Sequence, residues 1–169
     1  YYVKGGMATP VGSWYVSAFD LNVENGVIES PRKPMIRLAA PVYLDGSPSG
    51  LVVLNLLGNV ILESFRDTTR SKPGVVGLAD ENGWWLYAND PVREWGNMYP
   101  DSDVGSVEDT MGDLWSVIQS GATVSATARE WVISAQRITP FRGAAETSSV
   151  GRWYVVNHAT RSELDIDLR

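Results

Sequence analysis

The chain has 169 residues, 44% of them hydrophobic, which is enough apolar mass to bury a core in one domain or two. Its net charge of -6 argues against nucleic acid as a partner, which would need a basic footprint. With no cysteine, disulfides, thiolate chemistry and cysteine-held zinc are excluded.

The opening, Tyr1-Tyr2-Val3, is aromatic and lacks a methionine, so a piece of a longer protein is expected. No stretch reads as a signal peptide or as a membrane span of about 18 apolar residues. The longest apolar run, Leu51–Leu57, is interrupted by Asn55 and has the length of a strand. Asp20 to Gly58 reads as an extended lead-in, a strand, a tight turn and a second strand. The first strand is PMIRLAAPV at 34–42, the turn is Asp45-Gly46, and the second strand begins at Gly50. Asn59–Phe65 reads as a short helix with Ile61, Leu62 and Phe65 on one side. DTTRSKPG at 67–74 reads as a polar loop and a domain boundary.

The second half opens on a strand at Val75–Ala79, a turn at Asp80–Gly83 and a strand at Trp84–Tyr87. Residues 89–113 are rich in loop formers and acidic side chains. Leu114–Ile118 belongs to a helix, and Ala128–Ile138 and Arg152–His158 complete the strand set. A weak internal repeat links Arg37 through Pro41 and Gly50 to Asn55 with Arg137 through Pro140 and Gly151 to Asn157. Two copies of one sheet module explain it, the first lacking an opening hairpin. The expected fold is therefore α+β, with two modules in tandem, each an antiparallel sheet with flanking helices. Residues 1–66 are expected to form an incomplete module and 75–158 a complete five-stranded sheet.

Several motifs resemble one family closely. They are Tyr15-Val16-Ser17, Asp20-Leu21-Asn22 with Glu24 and Gly26, Pro34-Met35-Ile36-Arg37, and Gly50 to Asn55. Gly83-Trp84-Trp85-Leu86 and Glu94-Trp95-Gly96 follow in the second half. Together they resemble the double-Cache, PAS-like (PDC) sensor regions of bacterial histidine kinases and diguanylate cyclases, in particular the histidine-kinase-like sensor domain. The resemblance covers nearly the whole chain and is densest over 14–58. It implies PAS/Cache-like modules, with 1–70 the C-terminal part of a membrane-distal module truncated at its N-terminus and 71–169 a membrane-proximal one. It implies a periplasmic location in an inner-membrane receptor, anchored by flanking helices absent here and homodimeric when intact. It also implies reception of a small ligand rather than catalysis. The chain departs from the amino-acid-binding relatives. Trp14-Tyr15 follows Ser13 where they carry an Arg-x-Trp-Tyr, and Asn55 stands where they carry an Asp. A neutral Asn55 cannot pair ionically with an ammonium group, which disfavours a standard amino acid.

Strand alternation places Tyr15 with Ser17, Met35 with Arg37 and Ala39, and Leu51 with Val53 and Asn55. An arginine inside an apolar strand needs a partner, since an unpaired buried charge is costly. Two readings stay open. In one, Arg37 binds a small anion, such as a carboxylate, in bidentate fashion. The ligand-binding set is then Tyr2, Tyr15, Ser17, Met35, Arg37 and Asn55. In the other, Arg37 is a structural clamp on Asp20, Glu24 or Glu29, and the modules bind a partner protein or set dimer geometry without a ligand. No cofactor, metal or catalytic residue is expected. DSDVGSVED at 101–109 lacks the carboxylate spacing of a calcium loop. His158, the only histidine, has no nucleophile elbow to serve. The tryptophans of the second half read as core and turn packing. If the first module lacks its front strands, dimer or higher contacts through it are expected.

Overall fold

The computed structural model describes residues 1–121, 123–127, 131–146 and 148–164. It divides into two compact units: residues 1–60 with 139–151, and residues 61–138 with 152–169. The division therefore falls at Val60/Ile61 rather than at residue 70, and the 139–151 connection belongs to the first unit. The polar run at 67–74 misplaces the boundary because helix α2 (Asn59–Thr69) continues into it. There Thr68 and Thr69 donate their hydroxyls to the carbonyls of Ser64 and Phe65, 2.9 and 2.8 Å away, instead of capping or turning the chain.

Unit 1 is built on one long antiparallel hairpin. Helix α1 (Tyr2–Met7) comes first, then short strands β1 (Tyr15–Val16), β2 (Asp20–Leu21), β3 (Val23–Glu24) and β4 (Val27–Ile28). The hairpin itself is β5 (Pro34–Leu44) and β6 (Ser47–Leu57). The turn falls at the expected Asp45-Gly46, with φ of 50° and 77°, the left-handed pair that a two-residue hairpin demands. β1 and β2 pair in succession along one edge of β5, β6 pairs the other, and β3–β4 form a separate ribbon. Register sets Tyr15 opposite Ala39, Arg37 opposite Asn55 and Asp20 opposite Met35, so the odd-numbered side chains of β5 and β6 share a face. Helix α1 lies on that face, which explains its two glycines. A Cβ on Gly6 would meet Ala39 and Leu51 at 2.8 Å, and one on Gly5 would overlap the Tyr15 ring. The opposite, even-numbered face is apolar, buried at Ile36 and open toward the turn, where Leu44, Val52 and Leu54 are each more than half exposed.

Unit 2 contains a five-stranded antiparallel sheet, in the order β8 (Trp85–Ala88), β7 (Val75–Ala79), β11 (Trp153–Thr160), β10 (Trp131–Ile138), β9 (Thr123–Thr127). The expected start of β10 at Ala128 lies outside the described residues. Helices α3 (Val107–Met111) and α4 (Leu114–Ser120) bury Val107, Trp115 and Ile118 in a core with Trp85, Ile133, Tyr154 and Val156. α3 starts at a capping box between Ser106 and Asp109, which holds the Asp109 carboxyl below its ordinary pKa. That explains the acidic 101–109 run in part as a helix start. A final turn, α5 (Arg161–Leu164), follows β11. The internal repeat holds for the long antiparallel pair but not for its polar residues. Arg37 faces Asn55 in unit 1, whereas Arg137 faces Tyr154 and Asn157 faces Ser134 in unit 2.

Candidate functional site

The polar residues of unit 1 gather where β2 meets the odd face of the hairpin. Arg37 is 9% exposed, which an ionised side chain tolerates only with partners. It donates to Asp20 Oδ1 at 3.0 Å and to Asn22 Oδ1 at 2.7 Å, and its guanidinium sits 5.2 Å from the centroid of the Tyr2 ring. Asn22 continues the network by donating to Glu29 at 3.0 Å and Glu24 at 3.3 Å. Lys33 pairs with Glu29, which raises the lysine pKa and lowers the glutamate. Tyr1 donates its hydroxyl to Asp20, and burial, with that bond, pushes the phenol well above its ordinary range.

These groups border a cavity of about 430 Å³. Tyr2, Met35, Arg37 and Asn55 line it, together with Asn22, Glu24, Glu29 and Lys33. Tyr15 and Ser17 do not. The Tyr15 hydroxyl hydrogen-bonds Ser149 Oγ at 2.6 Å, and Ser17 Oγ accepts from the Arg37 backbone N–H at 2.9 Å. Both are buried supports of β1, whose backbone is held from outside by Ser148 and Ser149 of the 139–151 connection. The cavity also contains two carboxylates that the argument from Asn55 leaves out. A neutral residue at 55 therefore does not deprive it of a partner for an ammonium group.

No protein-family model and no curated protein matches the chain. Solved structures do match in fold. One is the extracellular domain of the histidine kinase vpHK1S-Z8, at 16% identity and TM-score 0.78, covering 99% of this chain and 57% of that one. Another is a domain of a sensory box/GGDEF family protein from Vibrio parahaemolyticus, also at 16% and 0.78, covering 97% and 59%. A third is the periplasmic sensory domain of the Campylobacter jejuni chemoreceptor Tlp1, at 11% and 0.69, covering 99% and 57%. The chain shares the fold of these sensory domains. The chain spans a little over half the length of the structures it matches. Their likeness to it lies in fold, and the α+β antiparallel build expected from the strand pattern is present.

His158 is buried on β11 of unit 2. Burial pushes its pKa below the ordinary value; Glu163 draws it upward and Arg93 pushes it further down. The unfolded chain therefore binds the proton first as pH falls. The contribution of His158 to stability is complete above about pH 6.5 and is lost as pH drops through the lower folded value. Urea midpoints should fall between about pH 7 and pH 5.5, and His158→Asn should flatten that slope. An unchanged slope in the variant would assign the loss to other groups.

Proposed function

We propose that this chain is the extracytoplasmic signal-receiving part of a bacterial membrane receptor, a histidine kinase or diguanylate cyclase, and that unit 1 binds a small anionic ligand, a carboxylate, in the Arg37 cavity. Unit 1 then belongs to the membrane-distal module and unit 2 to the membrane-proximal one. The observation that carries this reading is a nine-tenths buried arginine that still lines an open cavity, with Lys33 beside it. Asp20 and Asn22 take one N–H each and fix the fork; a guanidinium has five. A preset fork of this kind suits a carboxylate. Supporting it, the ligand-binding domain of the Pseudomonas fluorescens chemoreceptor CtaA, in complex with L-isoleucine, matches at 13% identity and TM-score 0.54. Its ligand is a small molecule with a carboxylate. Binding shifts the receptor between two arrangements by its differential affinity for them.

Thermal melts of the chain with aliphatic monocarboxylates, dicarboxylates and amino acids test this. At least one should raise the midpoint, since ligand at one hundred times its Kd adds about 2.7 kcal/mol to the native state. Stabilisation by neutral ligands alone would overturn the anionic reading.

A second reading, a module that sets dimer geometry, is favoured by the open face of the hairpin. Strand β6 carries no charged side chain, and Val52, Leu54 and Leu56 stand exposed along it. Two such faces approach without the repulsion that the net charge of -6 imposes elsewhere. Sedimentation should show concentration-dependent self-association, and Leu54→Lys should abolish it. A wild-type chain that stays monomeric throughout would remove this reading.

A further inference from the structure

Unit 2 has a cavity of its own, about 250 Å³ in volume, where β11 ends and α5 begins. Val75, Arg93, Thr110, His158, Thr160 and Glu163 line it. It has room for several waters, or for a ligand of a few heavy atoms. Its chemistry is uneven. The Glu163 carboxylate is committed to a cap, accepting the Thr160 N–H at 2.7 Å and the Thr160 hydroxyl at 2.8 Å. Hydrogen bonds from Thr160 hold its pKa low, so it stays ionised. Arg93 is less well served. Its Nε is buried with no hydrogen-bond partner among the described residues, and its ion pair to Asp90 Oδ2 spans 3.5 Å. That is beyond the 2.7–3.2 Å of an N–H···O bond. A buried guanidinium N–H without an acceptor calls for one.

We propose that this cavity is a second ligand site, in unit 2, for a short-chain aliphatic monocarboxylate. The carboxylate accepts from Arg93 Nε–H and from the His158 ring, and its alkyl end lies against Val75. The charge count selects a monoanion. Among the described residues that line the cavity Arg93 is the one fixed cation, Glu163 lines it too and Asp90 already pairs with Arg93, and a doubly charged anion adds repulsion that a single guanidinium does not offset. Among the described groups around His158 are Glu163 from α5, Arg93 from the turn after β8, the hydroxyl-bearing Thr110 and Thr160 that line the same cavity, and apolar Val75 and Ile133 opposite it on β7 and β10. An added anion there favours the imidazolium. Binding therefore takes up a proton and strengthens as pH falls from about 7.5 to 5.5. This site does not depend on the Arg37 cavity being a ligand site.

The chain has one histidine, so the ring C–H signals of residue 158 are unique in its NMR spectrum. Those signals should be followed while sodium acetate, propionate or butyrate is added, with sodium chloride as the control. Propionate or butyrate should move them saturably and raise the His158 pKa. Arg93→Gln should weaken the apparent affinity at least about tenfold. Val75→Phe fills the cavity from its apolar side and should abolish the response without touching a charge. A response equal in chloride, one unaltered in both Arg93→Gln and Val75→Phe, or none at all would overturn the proposal.

Discussion

Replacing Arg37 by alanine should lower the stability of unit 1 by about 3 kcal/mol and abolish its response to carboxylates. The stability loss follows from what is left behind. Asp20, with a fifth of its side chain exposed, loses its cation, and Asn22 loses the donor to its carbonyl. Removing one member of a buried ion pair costs about 3–5 kcal/mol, and the partial exposure of Asp20 puts this pair at the low end. The Tyr2 ring also loses the cation it faces. Denaturant midpoints of the two proteins measure the first effect, and melts with and without ligand, both in an Arg93→Gln background that silences the unit 2 cavity, measure the second. A variant as stable as wild type would mean that the contacts to Asp20 and Asn22 do not hold the unit together.

Unit 2 should respond most strongly at Trp85. This side chain is 1% exposed, and Gly77 on the neighbouring strand leaves room for its ring; a Cβ there would lie 2.6 Å from it. Trp85→Ala opens a cavity in the core and should cost about 3–5 kcal/mol. Its indole N–H has no hydrogen-bond partner among the described residues, so tryptophan carries a desolvation penalty here that phenylalanine lacks. Trp85→Phe should therefore lie within about 1.5 kcal/mol of wild type. Equal losses in the two variants would show that the indole N–H is satisfied in solution.

Local signals explain what could be read in advance. The β5–β6 hairpin was legible because β-branched and aliphatic runs flank a turn dipeptide, and β7 and β8 were legible for the same reason. Strand β9, TVSAT, was not, because its alternating exposed positions carry Thr and Ser and it looks like a loop next to Gly121. Helix α1 was hidden by Gly5 and Gly6, which weaken a helix intrinsically and are needed here for close packing on Tyr15, Ala39 and Leu51. In the site, alternation grouped Met35 with Arg37 and Asn55 with Val53, register then set Arg37 opposite Asn55, and Asp20 was one of three carboxylates weighed as the clamp. Register chose among them, because Asp20 pairs with Met35 on the face that carries Arg37. Asn22 and Lys33 carried no such signal, since they reach the cavity from loops between the short strands. The roles of Ser148 and Ser149 behind Tyr15 depend on a contact across more than 130 residues, beyond any local pattern.

The most direct test of the Arg37 cavity is calorimetric titration, into wild type and Arg37→Lys, of the carboxylate that stabilises the chain best. Lysine keeps a positive charge opposite Asp20, so the unit should stay folded, but it loses the planar fork. Affinity should fall at least about tenfold while the melting midpoint without ligand stays close to wild type. Equal affinity in the two proteins would contradict the account and leave Arg37 as a structural clamp alone.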